Sequence, residues 1–228
     1  FQSSFSGNRG VELLPLRTSA VELLFGNDCP LVDLSPLRNT SLGRLSISYT
    51  KVTDISELSG LPLEIFIASG CQISDVSSLA SAQLEELRME DSLLADLTPL
   101  RGLPLKQVLI GGTQVSDISA LEESPVEVLN IRGLAIDKLP VGLMPRLHSI
   151  EIYNCPIRDW SPLLKAKELR SLLIKTPTLR DFDFTEIFSA WEGQENQKDI
   201  LRQLRMAIAF EKRDWETIKS LGETFAGR

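Results

Sequence analysis

Histidine is nearly missing from this sequence: His148 is the only one in 228 residues. A lone imidazole with no Ser, Cys or carboxylate placed beside it by sequence makes no catalytic triad. The three cysteines, Cys29, Cys71 and Cys155, stand far apart with no second ligand near any of them, so no zinc spacing exists. The aspartates form no D-x-D run of the kind that holds calcium. No Gly-Lys pair follows Gly111-Gly112, which excludes a phosphate loop. Positive charge is also short, with 24 Lys and Arg against 31 Asp and Glu and a net charge of -7. Nucleic-acid affinity depends on Lys and Arg, and no basic patch stands out, so no nucleic-acid partner is expected. No run of about 18 apolar residues is present, so no membrane insertion is expected. With no clustered acid, base or nucleophile, the expectation is a chain without catalysis, cofactor or metal.

What the sequence has in abundance is repetition. Val32-Asp33-Leu34-Ser35-Pro36-Leu37 returns as Thr53-Asp54-Ile55-Ser56-Glu57-Leu58, Ser74-Asp75-Val76, Ala95-Asp96-Leu97 and Ser116-Asp117-Ile118. The aspartates fall 21 residues apart. Slot 138 holds Lys, but Leu139 keeps the frame and Asp159 arrives on schedule; one residue is then inserted before a last unit at Arg180-Asp181-Phe182. A degenerate first unit, Glu12-Leu13-Leu14-Pro15-Leu16, keeps the same phase.

The rest of the unit is as regular. Leu42, Leu45 and Ile47 correspond to Leu84, Leu87 and Met89, and to Leu105, Val108 and Ile110. The unit reads L-x-x-L-x-I-x-x-T-x-V-x-D-I-S-x-L. Its L-x-I alternation predicts a short strand with one buried side. The Asp and Ser or Thr that follow are turn formers, and Pro36, Pro99 and Pro162 stand where a missing N–H costs little. One unit cannot bury its own apolar side, so units stack around a shared core.

This pattern resembles the bacterial leucine-rich repeats of internalin-like proteins over roughly residues 11 to 182. The form Pro104-Leu105 with Thr113-Gln114-Val115-Ser116-Asp117-Ile118-Ser119 also resembles repeats of large bacterial proteins, some attached to Ser/Thr kinases. Internalin-like units usually run one residue longer and carry Asn in the turn ladder; this chain has Cys29, Thr50, Cys71, Ser92, Thr113, Leu134, Cys155 and Pro177 there. The expected fold is an α/β solenoid of about eight repeats over 11–182, with a parallel sheet on the concave face and short 3₁₀ or irregular convex turns. Residues 1–10 read as a linker or N-terminal arm, and the start at Phe1 rather than Met is read as a processed product or a piece of something larger. Residues 183–228 read as a helical cap or a docking segment: a capping-box-like start at Asp183 and Glu186 leads to Ile187, Phe188 and Trp191. A second helix is marked by Ile200, Leu201, Leu204 and Ile208, and a third by Trp215, Ile218, Leu221 and Phe225.

Cys29 and Cys71 lie two units apart, about 10 Å at sheet spacing, beyond the roughly 7 Å Cα limit of a disulfide. All three cysteines are therefore expected as free, buried small side chains, compatible with a cytoplasmic or an exported setting. The outward strand positions vary from unit to unit and include apolar residues. Phe25, Tyr49, Ile65, Ile67, Arg88, Leu109, Val128, Arg132, Tyr153 and Leu173 are the candidate partner-binding residues. A row of apolar groups on a sheet face suggests a contact surface or cover by the terminal segments. The expected function is non-catalytic protein–protein interaction through the concave sheet. The alternative implied by the resemblance is a regulatory or substrate-docking domain of a larger bacterial enzyme such as a Ser/Thr kinase.

Overall fold

The computed structural model describes residues 2–4, 21–192, 194, 198–214, 216–217 and 220. Within them, each 21-residue unit gives one short strand: β1 (Gln2–Ser4), β2 (Leu23–Phe25), β3 (Arg44–Ser46), β4 (Ile65–Ile67), β5 (Glu86–Arg88), β6 (Gln107–Leu109), β7 (Val128–Asn130), β8 (Ser149–Tyr153) and β9 (Ser171–Lys175). They form one parallel sheet in chain order. Gln2–Ser4, within the stretch expected as a linker or N-terminal arm, pairs with Leu23–Phe25. Its polar side chains hide the apolar signature, but its backbone sits 21 residues upstream of β2 and keeps the period.

Register follows the repeat. Leu24, Leu45, Phe66, Leu87, Val108, Leu129, Ile150 and Leu172 face one another across successive strands, and none is more than 2% exposed. The inserted residue after Asp159 is absorbed in the return path, since Ser149 pairs with Ser171 in unbroken register. The return segments carry 3₁₀ turns such as Ser56–Leu58, Thr98–Leu100 and Ser119–Leu121. Each starts on the repeated aspartate, whose Oδ1 accepts the N–H two residues on at 2.8 Å in Asp54, Asp75, Asp96 and Asp117. The N–H and the hydroxyl of that Ser or Thr together hold the four carboxyls below the usual carboxylate range, the Thr98 hydroxyl leading at Asp96.

A second ladder lies inside the turns after the strands. The Thr50, Ser92 and Thr113 hydroxyls donate to the carbonyls of Ile47, Met89 and Ile110 at 2.7–2.8 Å. Cys29, Cys71 and Cys155 occupy the same slot, free and buried, with thiols against the carbonyls of Gly26, Ile47 and Ile131. Burial pushes the Cys155 thiol up. In the last unit the buried hydroxyl belongs to Thr176, bonded to Cys155 O at 2.6 Å, rather than to Pro177, which is exposed and opens a 3₁₀ turn.

Among the described residues, α1 (Thr185–Trp191) and α2 (Lys198–Lys212) close the C-terminal end. The expected capping box is absent. Asp183 Oδ1 accepts the N–H and hydroxyl of Thr185 at 3.0 and 2.6 Å, and the residue at the N-cap is Phe184. Phe184 packs on Trp160, ring centroids 6.3 Å apart, while Ile187 and Trp191 are buried against the last units. Ile200, Leu201, Leu204 and Ile208 form the buried stripe of α2. Gln203 Oε1 accepts the N–H of Leu172 at 3.0 Å, so α2 satisfies part of the terminal strand edge that would otherwise stand open. These helices cap the solenoid. Glu12–Leu16 and the marker residues of the third expected helix lie outside the described residues.

Candidate protein interface

The outward side chains of the strands fall into rows because parallel pairing puts equivalent positions side by side. One row runs Leu23, Arg44, Ile65, Glu86, Gln107, Val128, Ser149 and Ser171; the next runs Phe25, Ser46, Ile67, Arg88, Leu109, Asn130, Glu151 and Leu173. Phe25 is 37% exposed and Leu173 49%, while Ile65, Ile67, Arg88, Leu109 and Val128 are half-buried among their neighbours. Tyr153 is half-buried opposite Lys175. Arg132, exposed, lies one strand away from β6 and pairs with Asp91 at 3.5 Å.

Tyr49 is not in a strand row. It belongs to the ledge where the chain leaves each strand, a slot whose φ is positive at Asp28, Tyr49, Gly70, Asp91, Gly112, Gly133 and Asn154. Gly, Asn and Asp tolerate this conformation, whereas an aromatic there is strained. Tyr49 holds it with φ 57° and is 63% exposed, its ring edge lying over Gly70, where a Cβ would come within 2.5 Å.

Sequence reasoning missed a polar hub in the middle of the face. Asn130 Nδ2 donates to Glu151 Oε2 at 3.0 Å and reaches Glu90 Oε1 at 3.5 Å, while its Oδ1 accepts the N–H of Arg132 at 3.0 Å. Gly111 makes room: a Cβ there would stand 2.8 Å from Asn130 Oδ1. Arg88 Nε is bound to Glu86 on its own strand. Toward the other end, Asn27 Oδ1 accepts from Ser46 Oγ and Ser48 N–H, both at 2.8 Å. These bonds fix Asn27, Ser46, Arg88, Asn130 and Glu151 on the outward face.

At the C-terminal end the face runs into a cleft of about 1080 Å³, with Tyr153, Arg170, Leu173 and Lys175 on the sheet side and Arg202, Met206 and Glu211 on α2. The helices pack on β9 and on the turns Ser161–Lys165 and Pro177–Asp181. They leave β4 and β6 uncovered, so among the described residues the central apolar positions are open. His148 is half-buried, with Nδ1 3.7 Å from Glu127 Oε2. Among the described residues no group of three or more His, Cys, Asp or Glu is placed to hold a metal, and no helix is long and apolar enough to cross a membrane.

A one-sheet stack of 21-residue units with 3₁₀ returns and a helical end defines a leucine-rich repeat protein of the bacterial type. The structure is similar to that of an internalin (inlF) from Listeria monocytogenes, with 28% identity, 72% of this chain and 52% of that one covered, and a TM-score of 0.66. It is also similar to internalin C2 of the same organism, with 23% identity, 71% and 70% covered, and a TM-score of 0.56. The functional domain of Listeria monocytogenes InlJ, described as including a cysteine ladder, shares the fold at 17% identity, with 74% and 40% covered and a TM-score of 0.52. The matched region spans about half the length of the first internalin. No protein-family model and no curated protein matches the chain.

Proposed function

We propose that this chain is a non-catalytic protein-interaction module whose concave sheet is the contact surface. The observation that carries this is the placement of Phe25, Ile65, Ile67, Leu109, Val128 and Leu173 on the outward side of strands whose inward side already forms a complete core. The core does not need these side chains, the backbone beneath all of them but Leu173 is locked by strand pairing on both sides, and Ser46, Arg88 and Asn130 between them are held by side-chain hydrogen bonds. Such a surface is rigid and pre-organised, which lowers the entropy lost on association. Leucine-rich repeats stack into extended faces of this kind.

The test is the double variant Ile67→Lys, Leu109→Lys, compared with the unaltered chain in co-purification from the native lysate and in thermal melts by circular dichroism. Both lysines reach water, so the melt should move little, within the few tenths of a kcal/mol usual for surface changes. Partner capture should be lost, because an unpaired charge in a desolvated contact is costly. A folded variant that still captures the partner moves recognition to an edge, the convex side or the helices. An unfolded variant means the row is covered from within.

A further inference from the structure

The second row of the concave face alternates along the stack: Phe25, Ser46, Ile67, Arg88, Leu109. Apolar side chains therefore recur every second unit, about 9.6 Å apart at parallel-strand spacing, and Phe25 to Leu109 spans about 19 Å. A ligand lying across the strands has to present apolar groups with that period on one side. An α-helix repeats its face every seven residues, about 10.5 Å, and places three anchors over about 21 Å. A polyproline II segment has three residues per turn and repeats every 9.3 Å or so, with three anchors over roughly 18.6 Å. A β-strand repeats its face every two residues, about 6.6 Å, which fits neither one unit nor two. On the inside of a curved sheet side-chain tips stand closer than the backbones below them, which moves the match further from the helix.

We propose that the partner presents a polyproline II segment carrying a large apolar side chain at every third residue, laid across the strands with anchors on Phe25, Ile67 and Leu109. This rests on the concave-sheet reading above and names the partner's chemistry. A second feature supports it. A polyproline II backbone has no internal hydrogen bonds and needs donors for its carbonyls, whereas a helix satisfies its own. Arg88 lies between two anchors with Nε on Glu86 and its terminal N–H groups directed to no partner among the described residues, and the Gln107 amide stands beside it in the adjoining row.

The full chain is titrated with the synthetic peptide (Leu-Pro-Pro)4, following backbone amide shifts by NMR. Two comparison peptides are used: one with Leu at every fourth position of a proline chain, which turns the anchors off one face, and a soluble helical peptide with Leu at every seventh. The expected result is shifts clustered at Phe25, Ile67 and Leu109 and at least tenfold weaker binding of both comparison peptides. Leu109→Lys should weaken (Leu-Pro-Pro)4 at least tenfold, and Leu109→Gln, a milder change at the same position, should weaken it with an unchanged melt. Equal or tighter binding of either comparison peptide overturns the proposal, as does normal binding to a folded Leu109 variant. If (Leu-Pro-Pro)4 does not bind while Ile67→Lys, Leu109→Lys still abolishes native capture, the polyproline geometry is wrong and the concave-sheet reading stands.

Discussion

Leu87→Ala is the sharpest probe of the register. Leu87 is 0% exposed and stands between Phe66 and Val108, themselves 0% exposed, on a strand paired on both sides. Truncation removes three carbons from a site whose walls are held by backbone pairing and cannot collapse into the gap. Leu→Ala changes of this kind cost about 2–5 kcal/mol, rising with the cavity that remains, and a rigid stack belongs in the upper half, about 3–5 kcal/mol. For a chain of this size each kcal/mol lowers the melting temperature by roughly 2–4 °C, so a fall near 10 °C is expected by circular dichroism. The control is Gln107→Ala, on the next strand and the opposite face, half-buried and outside the core; it should stay within about 0.5 kcal/mol. If Gln107→Ala costs as much as Leu87→Ala, the two faces have been assigned wrongly.

Three further outcomes follow from particular residues. Ser124 is 2% exposed with no hydrogen-bond partner for its hydroxyl among the described residues, in the slot that Ala82 fills two units earlier, so Ser124→Ala should stabilise by around 1 kcal/mol; a loss of stability in urea titration would show that the hydroxyl is satisfied. The turn aspartates have folded pKa values below their unfolded ones, so their contribution is present above the ordinary carboxylate pKa and disappears as pH falls through the lowered folded values. Urea midpoints measured downward from pH 6 should therefore drop below about pH 4, and changing Asp54, Asp75, Asp96 and Asp117 together to Asn should flatten that drop; an unchanged acid profile contradicts the assignment. A chain ending at Phe182 loses α1 and α2 and bares Trp160, Leu172 and Ile174, so it should aggregate or melt earlier; a soluble, equally stable product would make the helices a separate module.

The solenoid was legible because its information is local and repeated. Leu87 and Val108 declare the buried side of their strands, and Asp96 and Asp117 declare their turns, within a single unit. Features set by the neighbouring unit were not legible. Gln2–Ser4 becomes a strand because Leu23–Phe25 offers it an edge, although Gln and Ser carry no strand signal. Asp183 was expected to pair with Glu186 in a capping box, but the hydroxyl and N–H of Thr185 take it first. The Asn130 hub depends on Glu90 and Glu151, which come from units on either side of it and lie 40 and 21 residues away in the chain. Gly111 was the available signal, since a glycine in a side-chain-bearing strand-exit slot marks something crossing above it. Tyr49 reads in the sequence as one of the outward strand positions, whereas its place past the end of β3 and its positive φ show only in the backbone.

The central claim is that the sheet face, and not the returns, meets a protein partner. Site-specific photocrosslinking tests it without perturbing the core. A benzophenone amino acid replaces Gln107, half-buried on the concave face, or Ala95, exposed on a return segment just before the Asp96 turn. After irradiation in the native lysate, the account predicts one discrete adduct from position 107, lost in the Ile67→Lys, Leu109→Lys background, and none from position 95. An adduct from position 95 with none from position 107 contradicts it.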